Sequence, residues 1–129
     1  MSNANVARPA AAAAANPAGR WITVNDKVRR RTVLAGDKMM QMFVEFAAGG
    51  HTPEHAHVHD QVVHVLRGRM RFTLAGSPHE VAQGQSIYFP SNVPHAADAI
   101  EDSLLLDTFT PVRTDLLQQD AGEEVASGQ

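Results

Sequence analysis

The sequence predicts an all-β fold, and three observations carry that prediction. Short apolar runs recur through the middle of the chain, glycine or proline punctuates nearly every gap between them, and no window of 12 residues there keeps a helical apolar period. Residues 30–34 form the first run and end at Ala35-Gly36-Asp37. Residues 39–46 form the second, closed by Ala47-Ala48-Gly49-Gly50. Residues 61–66 lead to Arg67-Gly68-Arg69, and residues 70–74 to Ala75-Gly76-Ser77-Pro78. Residues 79–81 precede Gln83-Gly84, residues 86–89 precede Pro90-Ser91-Asn92, and residues 103–109 complete the set. Such punctuation is what tight hairpins require. Seven short strands call for a sandwich or barrel that hides its edges by closure or pairing. The exception is the stretch 111–119, where Pro111 suits a first helical turn ahead of Asp115, Leu116 and Leu117.

The rest of the chain bounds the domain. Residues 1–19 are an alanine run fenced by asparagine and two prolines, and residues 118–129 are polar. We expect a flexible N-terminal tail over 1–19, one compact domain over 20–117 and a flexible C-terminal tail over 118–129. The length of 129 residues suits one domain, large enough to bury a core without staples. With no cysteine, disulfides, thiolate metal sites and cysteine nucleophiles are excluded. A net charge of −3 argues against duplex nucleic acid or an anionic membrane as partner. No apolar run is long enough to span a membrane and the N-terminus lacks the pattern of an export signal, so a cytoplasmic location is expected.

Chemistry concentrates in the histidines. There are seven, and four of them fall between His51 and His59 in the segment GGHTPEHAHVHDQVVHVLRG. On an extended strand His55 and His57 point to one face, and Gln61 shares their parity. Paired imidazoles facing an interior suit a first-row divalent metal, with a further ligand from a distant strand. His95, which ends GQSIYFPSNVPH, supplies it. The alternative is an apolar interior holding incidental histidines, with Gln61 uninvolved. His51, His59, His64 and His79 read as surface or loop residues, His59 with an option to support the ligand cluster. The run Arg29-Arg30-Arg31 reads as a solvated strand face.

The two histidine segments resemble the two motifs of the cupin superfamily. Gly49, His55, His57, Gln61 and Gly68 match the spacing of the first, with glutamine where glutamate is usual. Gly84, Pro90, Asn92, His95 and Ala99 match the second, with Asn92 at a turn glycine and Ala99 at an asparagine. Asn92 is tolerable because asparagine enters the left-handed region readily. The resemblance implies a single-domain cupin jelly-roll (double-stranded β-helix) barrel, with a short C-terminal helix or tail. It also implies one divalent transition metal held by His55, His57, Gln61 and His95, with nickel, manganese, zinc and ferrous iron all compatible. Replacing glutamate by Gln61 leaves the site more positive, which favours Lewis-acid chemistry over redox cycling.

The fold alone does not choose a reaction. Together with HAHVHDQ and YFPSNVPH, the last strand, LLLDTFTPVRTDLL, is similar to the KdgF group of cupins. That resemblance implies conversion of 4,5-unsaturated uronate monosaccharides to linear 5-keto sugars. It implies Asp107 as the proton-transfer group and Arg113 as the partner of the sugar-acid carboxylate through a bidentate fork. Phe109 shares the parity of Asp107 and would wall the sugar ring, although plain core packing explains it as well. Asp107 could instead be a structural carboxylate paired with an arginine, and Arg113 an exposed residue starting a helix. By parity Gln41, Phe43, Val63 and Val65 also line the interior. Two rivals stand beside this reading: a metal-dependent dioxygenase or lyase acting on a small organic acid, and a non-catalytic cupin that binds a sugar acid. A homodimer is expected from the resemblance and from the need to cover sheet edges.

Overall fold

Alternation of burial along the strands sets two inner faces, which the computed structural model, describing residues 19–122, brings together. The strands are β1 (Ile22–Asn25), β2 (Val28–Ala35), β3 (Met40–Phe46), β4 (His51–His55) and β5 (Asp60–Arg67). They continue as β6 (Arg69–Leu74), β7 (Ser77–Ala82), β8 (Ser86–Phe89), β9 (His95–Ala99) and β10 (Ser103–Thr110), followed by helix α1 (Thr114–Asp120). Six strands form one antiparallel sheet in the order β1-β2-β3-β10-β5-β8, and four form a second in the order β4-β9-β6-β7. The result is a jelly roll whose sheets remain separate hydrogen-bonded units and do not close into one continuous barrel.

The core lies between the sheets. Met40, Met42, Val44 and Phe46 of β3, Leu105 and Phe109 of β10, and Val63 and Val65 of β5 face Met70 and Phe72 of β6. All seven runs read from the sequence are strands, and the three it passed over are β1, β4 and β9. Each of those is short: ITVN alternates and is rich in β-formers but has only 4 residues, whereas HTPEH and HAADA offer little apolar alternation. For β4 and β9 the pairing partners, not their own propensity, make the strands. Two turns need the residues they have. Asn92 has φ 65°, the left-handed conformation expected of it. Gly68 has φ 97°, and a Cβ there would lie 2.3 Å from the Asp102 carbonyl oxygen.

Three expectations are corrected. Gln41 and Phe43 lie on the outer face of β3, where Gln41 donates to Thr108 Oγ1 at 3.3 Å, and Met42, Val44 and Phe46 hold the inner one. Register decides this: β3 pairs with β10 so that Met42 stands opposite Asp107. The helix begins at Thr114, not Pro111, and runs to Asp120, across the expected domain end at 117. The arginine run is split by strand alternation: Arg29 is exposed, but Arg30 is fully buried beneath α1. Of the expected tails, residues 1–18 and 123–129 lie outside the described residues. Among the described residues no helix is long and apolar enough to cross a membrane.

Candidate metal centre

The site forms where the two sheets meet at one end of the core. His55 ends β4 and His95 begins β9, and the two are cross-strand partners. His57 does not share a strand with His55, as parity suggested, because β4 ends at His55 and the chain loops through residues 56–59 before entering β5. Gln61 lies on β5 opposite Phe109, diagonal to Asp107 on β10. The ligand atoms of His55, His57 and His95 all lie within 4.8 Å of one another.

Backbone carbonyls aim the rings. The Nδ1 of His55 donates to Pro53 O at 3.0 Å, that of His95 to Val93 O at 2.9 Å, and that of His57 to His59 O at 3.1 Å. A carbonyl can only accept, so each Nδ1 carries the proton and each neutral ring turns a bare Nε2 lone pair inward. The Nε2 atoms of His55 and His95 are buried without a hydrogen-bond partner. Aromatic rings complete the walls: Phe89 stacks on His95 at 4.4 Å between centroids, and Phe109 meets His57 edge-on at 5.9 Å. His59, read as exposed, is half-buried with its ring 5.5 Å from that of His57.

The donor set fits a metal cation. Gln61 Nε2 donates to Asp107 Oδ2 at 2.9 Å, which turns its Oε1 toward His57 Nε2 at 3.0 Å. Both facing atoms are electron-pair donors, because His57 Nδ1 already holds the ring proton. An imidazolium would resolve the conflict, but burial, followed by the charge of Arg113 and the neighbouring histidines, holds His57 down to about 4. A cation between the two donors resolves it at neutral pH. Burial likewise lowers His55 and His95. Three imidazoles and an amide oxygen suit several divalent transition metals.

Acid–base groups border the histidines. Asp107 is buried, its Oδ1 has no hydrogen-bond partner, and burial raises its carboxyl to about 7 against the opposing effects of Gln61 and Arg113. Its partner is therefore an amide and not an arginine. Arg113 is 1% exposed and no surface residue. Its guanidinium lies 5.0 Å from the Phe109 ring, and its Nε and Nη2 form the bidentate fork with Asp115, at 3.1 and 2.9 Å. The edge expected to clasp a substrate carboxylate is thus engaged by the chain itself. Asp115 is the site residue that sequence reasoning missed; an acidic residue two positions after an arginine at a helix start was the available signal. Val63 lines the inner face beside Gln61, His55, His95 and Asp107 around a cavity of about 30 Å³. That volume holds a water molecule or two, not a sugar.

Comparison with known proteins gives a consistent kinship. Residues 42–107 match the cupin domain family. The pectin degradation protein KdgF of Dickeya dadantii is 30% identical over 99 residues, covering 75% of this chain and 90% of that protein. The structure of KdgF from Halomonas sp. superposes with a TM-score of 0.72 at 31% identity, covering 75% of this chain and 90% of its own. An RmlC-like cupin from Shewanella frigidimarina superposes with a TM-score of 0.72 at 26% identity, covering 76% and 88%.

Proposed function

This chain belongs to the cupin domain family, and from that premise we propose that it opens and ketonises 4,5-unsaturated uronate monosaccharides, giving linear 5-keto sugars. The observation that carries the reading is the buried Asp107 carboxyl, tied through Gln61 to His57 and standing within electrostatic reach of Arg113. The likeness to KdgF, a pectin degradation protein, supports it.

The substrate is a cyclic hemiacetal whose ring oxygen is part of an enol ether and whose C5 bears a carboxylate. Breaking the C1–O5 bond as the C1 hydroxyl loses its proton yields an aldehyde and an enol. Protonation of C4 as the enol hydroxyl loses its proton then gives the ketone, so the overall change is an isomerisation. His55, His57, Gln61 and His95 would hold the metal, which when bound supplies Lewis acidity toward developing negative charge on oxygen. Asp107 holds a proton near neutral pH, and a water in the cavity beside Oδ1 can relay it toward C4. Arg113 supplies positive charge for the uronate carboxylate, its plane fixed by Asp115. The sugar, too large for the interior cavity, meets the site at the half-exposed His55 and His57 rings.

The test follows loss of the conjugated double bond's absorbance, with spontaneous ring opening as control. Native protein should accelerate the decay. Metal-stripped protein and His55→Ala should lose that acceleration, and Asp107→Asn should lower it by about a hundredfold or more. No acceleration by metal-loaded protein would overturn the proposal. The small cavity favours a second reading, oxygen-dependent chemistry on a small organic acid, which the same samples test by oxygen consumption. A homodimer stays part of the proposal, measured as molar mass in solution.

A further inference from the structure

We infer that Arg30 is a positioning residue for the site: it clamps the far end of α1 and so holds Arg113 and Asp115 in place. Helix α1 has only 7 residues, no side-chain hydrogen bond at its N-cap, and no basic residue in its last turn. A helix that short is not stable by itself, and its C-terminal carbonyls need partners. Arg30, on β2, braces the helix through one mid-helix carbonyl and two side chains of its last turn. Its Nη2 donates to Leu116 O at 3.2 Å and to Gln119 Oε1 at 2.7 Å, and its Nη1 pairs with Asp120 Oδ1 at 3.0 Å. Thr32, two residues along the same strand face, donates to the other Asp120 oxygen, Oδ2. Arg20 adds bonds to the carbonyls of Gln119 and Asp120 at 3.2 and 3.4 Å.

A fully buried guanidinium is costly unless its charge is matched, so its place in the fold asks for a reason. The opposite end of the same helix gives one. Arg113 occupies the N-cap position, and Asp115 lies in the first turn. Leu116, fully buried, pins the middle of the helix to the core. The helix is a rigid bar between two buried arginines, one gripping its C-terminal end and the other standing beside the histidines. The two are also coupled electrostatically, since Arg113 and Asp115 both act on the Arg30 charge. Loosening the clamp lets the bar pivot, and Arg113 moves away from the substrate carboxylate while the metal ligands, carried by β4, β5, β9 and the loop before β5, stay put.

The role of Arg113 toward a uronate rests on the proposed reaction, so the experiment carries one readout that does not. In Asp120→Asn, the Arg113 Nε–H signal in a ¹⁵N-correlated spectrum should exchange with solvent at least about tenfold faster than in the native protein. The same variant should keep native metal content and raise KM for the unsaturated uronate about tenfold, through loss of the attraction between the Arg113 charge and the carboxylate, with kcat changed far less. Asp120→Glu should restore both readouts in part. An unchanged Arg113 signal overturns the inference, as does a fall in melting temperature with KM unmoved, which would make the clamp purely structural. If native protein shows no turnover, the proposed reaction fails, and the Arg113 signal still decides the clamp.

Discussion

The histidine rim and the helix clamp are two halves of one site built by opposite means. The Nδ1 bonds that aim the three rim histidines each join residues two apart: Pro53 to His55, His57 to His59, Val93 to His95. The clamp joins Arg30 to residues 86 and 89 positions away, and Thr32 to one 88 away. The rim is therefore aimed by local bonds, partly exposed at His55 and His57 and neutral, whereas the clamp is long-range, buried and charged. The difference separates what specifies a ligand set from what positions the groups around it. A metal needs lone pairs at a point, which short segments can present, while a helix end has to be held by another part of the fold.

The largest effect should come from removing the clamp's buried charge. Arg30→Ala deletes the partner of Asp120, strips the Leu116 carbonyl of a donor and opens a void under α1. Chemical denaturation should show a loss of about 3 kcal/mol, the lower end for breaking a buried ion pair because Asp120 keeps some contact with water. Metal affinity, measured by competition with a chelator, should stay native. A large loss of metal affinity would mean that the two halves are not separable, and would break the comparison.

Those differences also explain what could be read from the sequence. Gly49, His55, His57, Gln61 and Gly68, with Gly84 to His95, carry the spacing of the two cupin motifs, so the jelly roll and the meeting of the three histidines were legible through that resemblance, although a loop and not strand parity brings His57 beside His55. Asp107 and Phe109 were legible because β10 alternates regularly and its inner face is the buried one. Gln41 and Phe43 were misplaced although the pattern was there: Met40, Met42, Val44 and Phe46 form one apolar face, and Phe43 between the polar Gln41 and Glu45 blurs the other. Arg30 looked like the middle of a charge run, since nothing near it in sequence announces Asp120. Asp115 escaped notice, and an exposed Arg113 stayed an open alternative, because burial of a helix N-terminus depends on what the helix packs against.

Acid should separate the halves by pH window in metal-free protein. His57 has a folded value of about 4 against an ordinary value near 6.5, so the unfolded chain takes the proton first. Stability contributed by the neutral rim is complete above that ordinary value and declines as pH falls toward 4. Asp115 behaves differently. Burial alone would raise its carboxyl, but the fork with Arg113 outweighs burial and lowers it. Its contribution is present above the ordinary carboxylate value of 3.8 and is lost only as pH falls through the lower, folded one. Asp107 acts the other way in the first window, because its raised folded value of about 7 lets the folded state take the proton first, so the profile is read in Asp107→Asn. In that variant denaturation midpoints followed into acid should fall in two stages, and adding Asp115→Asn should abolish the more acidic one. A single decline confined below about pH 4 would sink the account of the neutral rim.

The smallest effect tests the comparison within two adjacent residues. Arg29 and Arg30 are neighbours on β2 and point to opposite faces, as any strand requires. Arg29 pairs with Glu45 at 2.6 Å and lies 4.2 Å from the centre of the Trp21 ring, but its side chain is 49% exposed. An exposed ion pair gains little in water, because solvent screens the charges and two long side chains lose freedom, and a solvated cation over the half-buried Trp21 ring adds a similar amount. Arg29→Ala should cost about 1 kcal/mol or less by the same denaturation measurement, and added salt should shrink even that. The gap between it and Arg30→Ala measures what burial does to a charge of the same chemistry one residue away. Equal losses would show that Arg30 matters through β2 itself and not through its grip on the helix.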